Sequence, residues 1–253
     1  MTALALVDCG SSGSILFSAC SGGQACYFPD AMNSAKNFSM LSVPAFSNSH
    51  PDPFEILSMT STLIKKESES LVLVCTGDSD GSIRLWTSPS DLLFNSAENT
   101  FRHVKWYKSK AKHKVTTAKF IQSNLLVSGN IQGDIRIWDL TWTHESCGQL
   151  VPGLSLRFYL KNAHNGKVGK VCIGLGDILL TAGGNDGSLS GWDLTTGKKV
   201  LTLCCHEGKE ISHPTKKEKV IAKSSVVGAV LTGQDDRLVT LCRDGVLSDW
   251  AFA

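Results

Sequence analysis

No stretch of this chain holds the roughly 20 successive apolar residues that a membrane-spanning helix needs. Excess charge of one sign is missing too. The 25 Lys and Arg face 23 Asp and Glu, a balance that favours no partner class. No two cysteines stand at Cys-x-x-Cys spacing. The nine are scattered, with Cys204 and Cys205 adjacent and Cys75, Cys172 and Cys242 inside apolar runs. That pattern reads as reduced thiols rather than a disulfide framework, and the expected location is cytoplasmic or nuclear. The opening "MTALALVDCGSSG" lacks a basic leader, and its apolar run is too short for a secretory signal. The glycosylation-like "NFS" at Asn37 therefore carries little weight.

Catalytic signatures are also lacking. There is no Gly-x-Ser-x-Gly elbow, His-Glu-x-x-His pair or Gly-x-Gly-x-x-Gly loop. "GWDLTTGKK" imitates a phosphate-binding loop, but Gly191 and Gly197 stand one residue too far apart and no Ser or Thr follows the Lys. "CCHEGKEISH" gathers Cys204, Cys205, His206 and His213. Adjacent residues of a strand point to opposite faces, so the two thiols do not share one metal. The expectation is a protein that is not an enzyme, with no cofactor, no metal and no small-molecule substrate.

What is present is a repeat. "DSDGSIRLW" (78–86) has a Gly followed five residues later by Trp, and the pair recurs as Gly133 and Trp138, Gly187 and Trp192, and Gly245 and Trp250. A degenerate copy runs from Gly23 to Phe28. The aromatic residues are spaced by 58, 52, 54 and 58 residues. Each copy has an apolar lead-in ("LFSACSGG", "LVCTGDSDG", "LLVSGNIQG", "LLTAGGNDG", "LVTLCRDG") that enters a tight turn, as a hairpin does. Another apolar run precedes each hairpin, and one follows most of the aromatics. Each period thus holds four strands, a to d, and no helix is needed to account for the chain. In "SIRLW", Ile83 and Leu85 face one way and Arg84 and Trp86 the other.

Four short strands per period, with Gly-Asp turns and a Trp closing the third strand, resemble the WD40 family. "IRIWDL" (135–140) and "LSGWDL" (189–194) carry the resemblance most closely. It implies an all-β fold, a β-propeller of one domain over 1–253, with five four-stranded blades at about 1–43, 54–107, 115–160, 168–205 and 225–253 and no strand d in the last. It also implies a structural hydrogen-bonded group in each blade: a His before strand a, a Ser or Thr on strand b, the turn Asp and the strand-c Trp. His50, Thr76, Asp80 and Trp86 match it in blade two. Blade three has His113, Ser128 and Trp138, with Gln132 in place of the Asp. Blade four has His164, Asp186 and Trp192, with Ala182 at the hydroxyl position. Blade five has Thr240, Asp244 and Trp250, and blade one only Ser18.

Two features depart from the family pattern. The period exceeds the roughly 40–45 residues usual for it, and the excess is read as loops at 29–53, 87–99, 139–153 and 206–224. The family most often closes a ring of seven, so five blades are read as part of a longer ring rather than a sealed one. Asp249 fits that reading, since it takes the slot held by Leu85 and Ile137 elsewhere; Gly191 departs there too.

Function in such a fold lives on the loops. The d–a loops are basic: "YKSKAKHK" (107–114), "KNAHNGK" (161–167) and "SHPTKKEKVIAK" (212–223). The opposite rim, with "PSDLLFNSAEN", "HESCG" and "GQDD", leans acidic. The sharpest feature is "FRHVKWYKSKAKHK", which interleaves Arg102, Lys105, Lys108, Lys110, Lys112 and Lys114 with Trp106 and Tyr107; Lys216 and Lys217 add to the basic rim. Cations beside aromatics suit an acidic or phosphorylated peptide, or RNA with stacked bases. The reading is a non-catalytic scaffold for protein partners. The alternatives are an RNA-associated propeller of a ribonucleoprotein and a substrate receptor of a cullin ubiquitin ligase. The second is weakened because Thr141 and Thr195 stand where such receptors carry Arg or Lys. No membrane partner is expected.

Overall fold

The computed structural model describes residues 3–10, 13–20, 23–29, 39–40, 54–66, 69–95, 101–108, 112–121, 124–144, 150–173, 177–183, 187–204, 209–212, 219–222, 226–232 and 237–251. The first sheet orders β1 (Ala3–Asp8), β2 (Ser14–Ala19), β3 (Ala25–Pro29) and β4 (Ser39–Met40). The second orders β5 (Ile56–Lys66), β6 (Glu69–Asp78), β7 (Ser82–Pro89) and β8 (Arg102–Lys108), with a short helix α1 (Ser90–Asn95) between the last two. The third contains β9 (Val115–Ile121), β10 (Leu125–Asn130), β11 (Ile135–His144) and β12 (Leu150–Leu160), and the fourth β13 (Val168–Ile173), β14 (Ile178–Gly183), β15 (Ser188–Asp193) and β16 (Lys199–Cys204). A ribbon of β17 (Lys209–Ser212) and β18 (Lys219–Ala222) comes next. Among the described residues the fifth sheet has three strands: β19 (Val226–Thr232), β20 (Arg237–Cys242) and β21 (Leu247–Ala251). Each sheet is a meander whose neighbours in space are neighbours in sequence, and the fold is that of a five-bladed β-propeller.

The repeat holds in three dimensions. The aromatic residue occupies the same register position in its hairpin wherever pairing is described: Phe28 opposite Leu16, Trp86 opposite Val74, Trp192 opposite Leu179 and Trp250 opposite Leu238. Two expectations need correction. The segment 87–99 is not all loop, because α1 forms there. Asp91 lies in its first turn, where a carboxylate suits the helix dipole, and Leu93 reaches the core. The segments 139–153 and 206–224 are not all loop either. β11 and β12 run on through much of the former, and the latter holds the β17–β18 ribbon.

The described chain divides into two compact units, residues 1–128 with 137–157, and 129–136 with 158–253. In the first, β1, β5 and β9 lie side by side. Its core has two layers. Ile15, Phe17, Tyr27, Ile56, Val72, Val74 and Trp86 make one; Leu73, Cys75, Ile83, Leu85, Val115 and Leu126 make the other. β6 feeds both, and every residue from Leu71 to Asp78 is buried. A strand covered on both faces is a continuous apolar run rather than an alternating one, as "LVLVC" is. In the second unit β13 and β19 are in contact, and Leu180, Ala182 and Leu189 pack with Val226, Leu238 and Cys242. Cys75 is a buried free thiol, Cys242 is buried, and Cys9, Cys20 and Cys26 are free and partly buried.

Candidate functional site

The site is built on the hairpin turns. Each b–c turn ends on a glycine at positive φ, which residues with a Cβ rarely adopt: Gly81 at 82° and Gly133 at 91°. These turns also need glycine because backbone presses on them. A Cβ on Gly81 would lie 2.8 Å from the Lys112 carbonyl carbon, and one on Gly133 would lie 2.0 Å from the His164 carbonyl oxygen. The following d–a loop is thereby seated on the turn of its own hairpin. Lys112 itself holds a left-handed backbone, φ 50°.

In the second sheet this seat displays cations. Lys105 on β8 and Lys112 and Lys114 on the loop are exposed, and Arg102 is partly buried. Lys105 lies 5.9 Å from the centre of the Tyr107 ring. Tyr107 is half-buried. Its hydroxyl accepts the Leu154 amide at 2.5 Å, and its ring stands 5.7 Å from Trp138. It therefore acts as a clamp between β8 and β12, with the Lys105 ammonium over its ring. Trp106 and Lys108 occupy β8 opposite Arg84 and Ser82. Lys110, Lys216 and Lys217 lie outside the described residues, as do His50 and Asp186.

The third sheet's turn repeats the device. The His164 amide donates to the Gly133 carbonyl at 3.1 Å. Asp134 accepts the Asn162 amide at 3.0 Å, the Tyr159 hydroxyl at 2.9 Å and Asn130 at 3.1 Å. Burial opposes ionisation of Asp134, but those three donors and nearby Arg136 outweigh it and hold the carboxyl below its ordinary value. Lys161 and Lys167 are exposed on this anchored loop.

The hydrogen-bonded group recurs beneath the turns. The indole N–H of Trp138 donates to Ser128 at 3.0 Å, that of Trp192 to Thr181 at 2.8 Å, and that of Trp250 to Thr240 at 3.1 Å. In the fourth sheet His164 joins, with Nε2 2.9 Å from the Thr181 hydroxyl and Nδ1 3.2 Å from that of Ser188. The hydroxyl residue there is Thr181, not position 182. Its hairpin is one residue longer, six from Thr181 to Gly187 against five from Thr76 to Gly81, so counting back from the glycine lands on Ala182.

The second sheet is organised differently. Asp80 accepts the Ser82 amide at 3.0 Å and Arg84 at 3.1 Å. Arg84 also pairs with Asp78 and stacks 3.8 Å over the Phe54 ring. Both Arg84 and Asp78 are buried. Burial pushes the Asp78 carboxyl up to about 7, against the pull of Arg84 and with a push from Asp80. The sequence signal for this group was an arginine in the middle of an otherwise apolar strand, where a cation needs a partner.

No family model matches the chain, and no curated protein matches it in sequence. Solved structures do. Raptor of Chaetomium thermophilum matches over 98% of this chain, with a TM-score of 0.61 and 17% identity. The match covers 20% of that chain, so this chain spans about a fifth of its length. In all, 525 solved chains match; a fold so widely used fixes architecture, and function must be argued from the loops.

The two Trp-Asp aspartates have local duties. Asp139 forms a two-pronged pair with Arg157, Nε to the carboxylate oxygens at 2.9 and 3.1 Å. Asp193 accepts the Thr195 amide at 2.7 Å and the Thr196 hydroxyl at 2.9 Å, closing the c–d turn. The phosphate-loop look-alike is thus a strand-to-strand turn. Its Gly197, φ 70°, has the Phe158 ring close by. Among the described residues no three His, Cys, Asp or Glu are gathered to hold a metal.

Proposed function

We propose that the chain is a non-catalytic scaffold of the WD40 type, located in the cytoplasm or nucleus, that grips an acidic or phosphorylated segment of a protein partner on the basic stretch 101–114. The observation that carries this is the seating of the Lys112–His113 backbone, next to Lys114, against Gly81. Exposed ammonium groups on a loop fixed by backbone contact lose little freedom on binding, which favours affinity. Lys105, half-stacked on a clamped tyrosine, extends the same cationic strip. Ammonium groups pair with carboxylate and phosphate oxygens by charge-assisted hydrogen bonds.

The test is reversal of charge at Lys108, Lys110, Lys112 and Lys114 to Glu, with fluorescence anisotropy on a labelled poly-glutamate peptide and on a phosphoserine peptide. Loss of binding with an unchanged melting temperature is the expected result. Unchanged binding to both peptides would sink the proposal. Tighter binding of single-stranded RNA than of either peptide, with a steep fall in salt, would favour the ribonucleoprotein reading.

A further inference from the structure

A cleft in the second sheet lies at the end of β6 away from the Gly81 turn. It holds about 520 Å³, inside the roughly 300–1,000 Å³ of ligand pockets, and one side is open to solvent. Its back is the last rung of the β6–β7 ladder, Leu71 opposite Pro89. Pro89 has no N–H with which to continue a ladder. The chain turns off there into α1, and Leu93 fastens that helix to the core. The cleft is the gap between β6 and α1, and burial of Leu71 and Leu93 fixes both walls. Its chemistry is one-sided. Glu69 and Asp91 supply carboxylates, Ser70 and Ser90 supply hydroxyls, and no described lining residue is a cation. Both carboxylates are exposed, and Leu92 beside them is 42% exposed.

Two further observations point to a ligand. Lys66 stands opposite Glu69 in the β5–β6 register and is its natural partner. Its ammonium instead lies 4.9 Å from the centre of the Trp142 ring, and Glu69 forms no ion pair among the described residues. Alternate residues of a strand share a face, so Thr87 stands one row further in on the face of Leu71 and Pro89. It is buried, and its hydroxyl has no hydrogen-bond partner among the described residues. Buried polar groups ordinarily find one. Arg102 stands opposite Thr87 on β8 but does not line the cleft. Carboxylates call for a cation, hydroxyls for many donors, and the apolar back for an aliphatic stem. A guanidinium meets all three demands. It has five N–H donors in a planar fork that matches carboxylates, where an ammonium has three, and its stem packs on apolar surface. The open side leaves a small molecule poorly covered, whereas ligand pockets bury most of their ligand. A side chain on a longer chain brings its own neighbours to cover Leu92. We propose that this cleft binds an arginine side chain presented by a partner polypeptide, with the guanidinium on the Glu69 and Asp91 carboxylates, the stem on Leu71 and Pro89, and an apolar neighbour on Leu92. The seat of Lys112 on Gly81 lies at the other end of β6, a strand of ten residues and roughly 30 Å. The two proposals use different residues, and failure of either leaves the other standing.

The test titrates the full chain, labelled with nitrogen-15, with the capped peptide Gly-Leu-Arg-Leu-Gly and with versions carrying lysine or the neutral isostere citrulline in place of arginine. The amide signals of Ser70 and Asp91 report occupancy. The arginine peptide should move both with a Kd on the order of 1 mM, the lysine peptide should bind about threefold more weakly, and the citrulline peptide should move neither. Glu69→Gln should weaken the arginine peptide about fivefold at an unchanged melting temperature, and Asp91→Asn should act in the same direction. No shift with the arginine peptide, equal shifts with citrulline, or indifference to Glu69→Gln overturns the proposal. Arginine amide alone binding as tightly as the peptide would assign the cleft to a free guanidine and overturn the polypeptide partner. Sedimentation should show a monomer; self-association that Glu69→Gln abolishes would assign the cleft to a second copy and overturn the partner likewise.

Discussion

Thr181 is the residue on which the fourth sheet's polar interior turns. Its one hydroxyl meets the indole of Trp192 and the imidazole of His164. Thr181→Val keeps the shape and strands both partners, so it should lower stability by about 2–3 kcal/mol in urea unfolding, while Thr181→Ser should cost under about 1 kcal/mol. Arg84 is the other such residue. Arg84→Met leaves Asp78 buried without its counter-charge and should cost about 3–5 kcal/mol; adding Asp78→Asn should recover most of that loss. Asp78 also sets a pH dependence. Its folded value of about 7 lies above its ordinary 3.8. Between these values the native state holds a proton that the unfolded state has released. Its contribution to stability is therefore whole at pH below the lower value and falls away as pH rises through the higher one. Urea midpoints across that window should fall with pH in the wild type and stay flatter in Asp78→Asn. None of this came from the repeat pattern. Thr181 was hidden by a hairpin one residue longer than its fellows, and the Arg84 group replaces the turn chemistry that the other sheets share.

Among the elements, the b–c hairpins were the most legible, because each has a glycine at positive φ and an aromatic five residues on. Strands a to d could be placed from apolar runs alone. What escaped was structure that depends on long-range contact: α1, held by burial of Leu93, and the extensions of β11 and β12. Two glycines separate strain from contact. Gly133 and Gly245 have nearly the same φ, 91° and 86°, yet a Cβ on the first would strike the His164 carbonyl while one on the second would meet nothing within 4 Å. Gly245→Ala should therefore cost only the backbone term of about 1 kcal/mol. Gly133→Ala should cost at least about 1 kcal/mol more and release the 161–167 loop, which amide exchange at His164 will report.

For the whole molecule the charge balance hides a local bias. A net +2 gives no long-range field to speak of, so the proposed association with an acidic partner rests on the few lysines of one basic stretch. Peptide binding should weaken as salt shortens the screening length to about 8 Å near physiological strength. The charge-reversed quadruple variant should bind neither peptide at low or physiological salt and keep an unaltered melting temperature. The basic strip was legible as composition. Its division of labour was not, since only packing turns Tyr107 into a clamp and leaves Lys105, Lys112 and Lys114 to face solvent.

The indole bonds of Trp138, Trp192 and Trp250 equip three sheets with a built-in optical gauge. Each ring's emission colour depends on whether its nitrogen meets a hydroxyl or bulk water. Keeping one of these tryptophans at a time, with phenylalanine at the others, would let the melting of each sheet be watched separately with no dye attached.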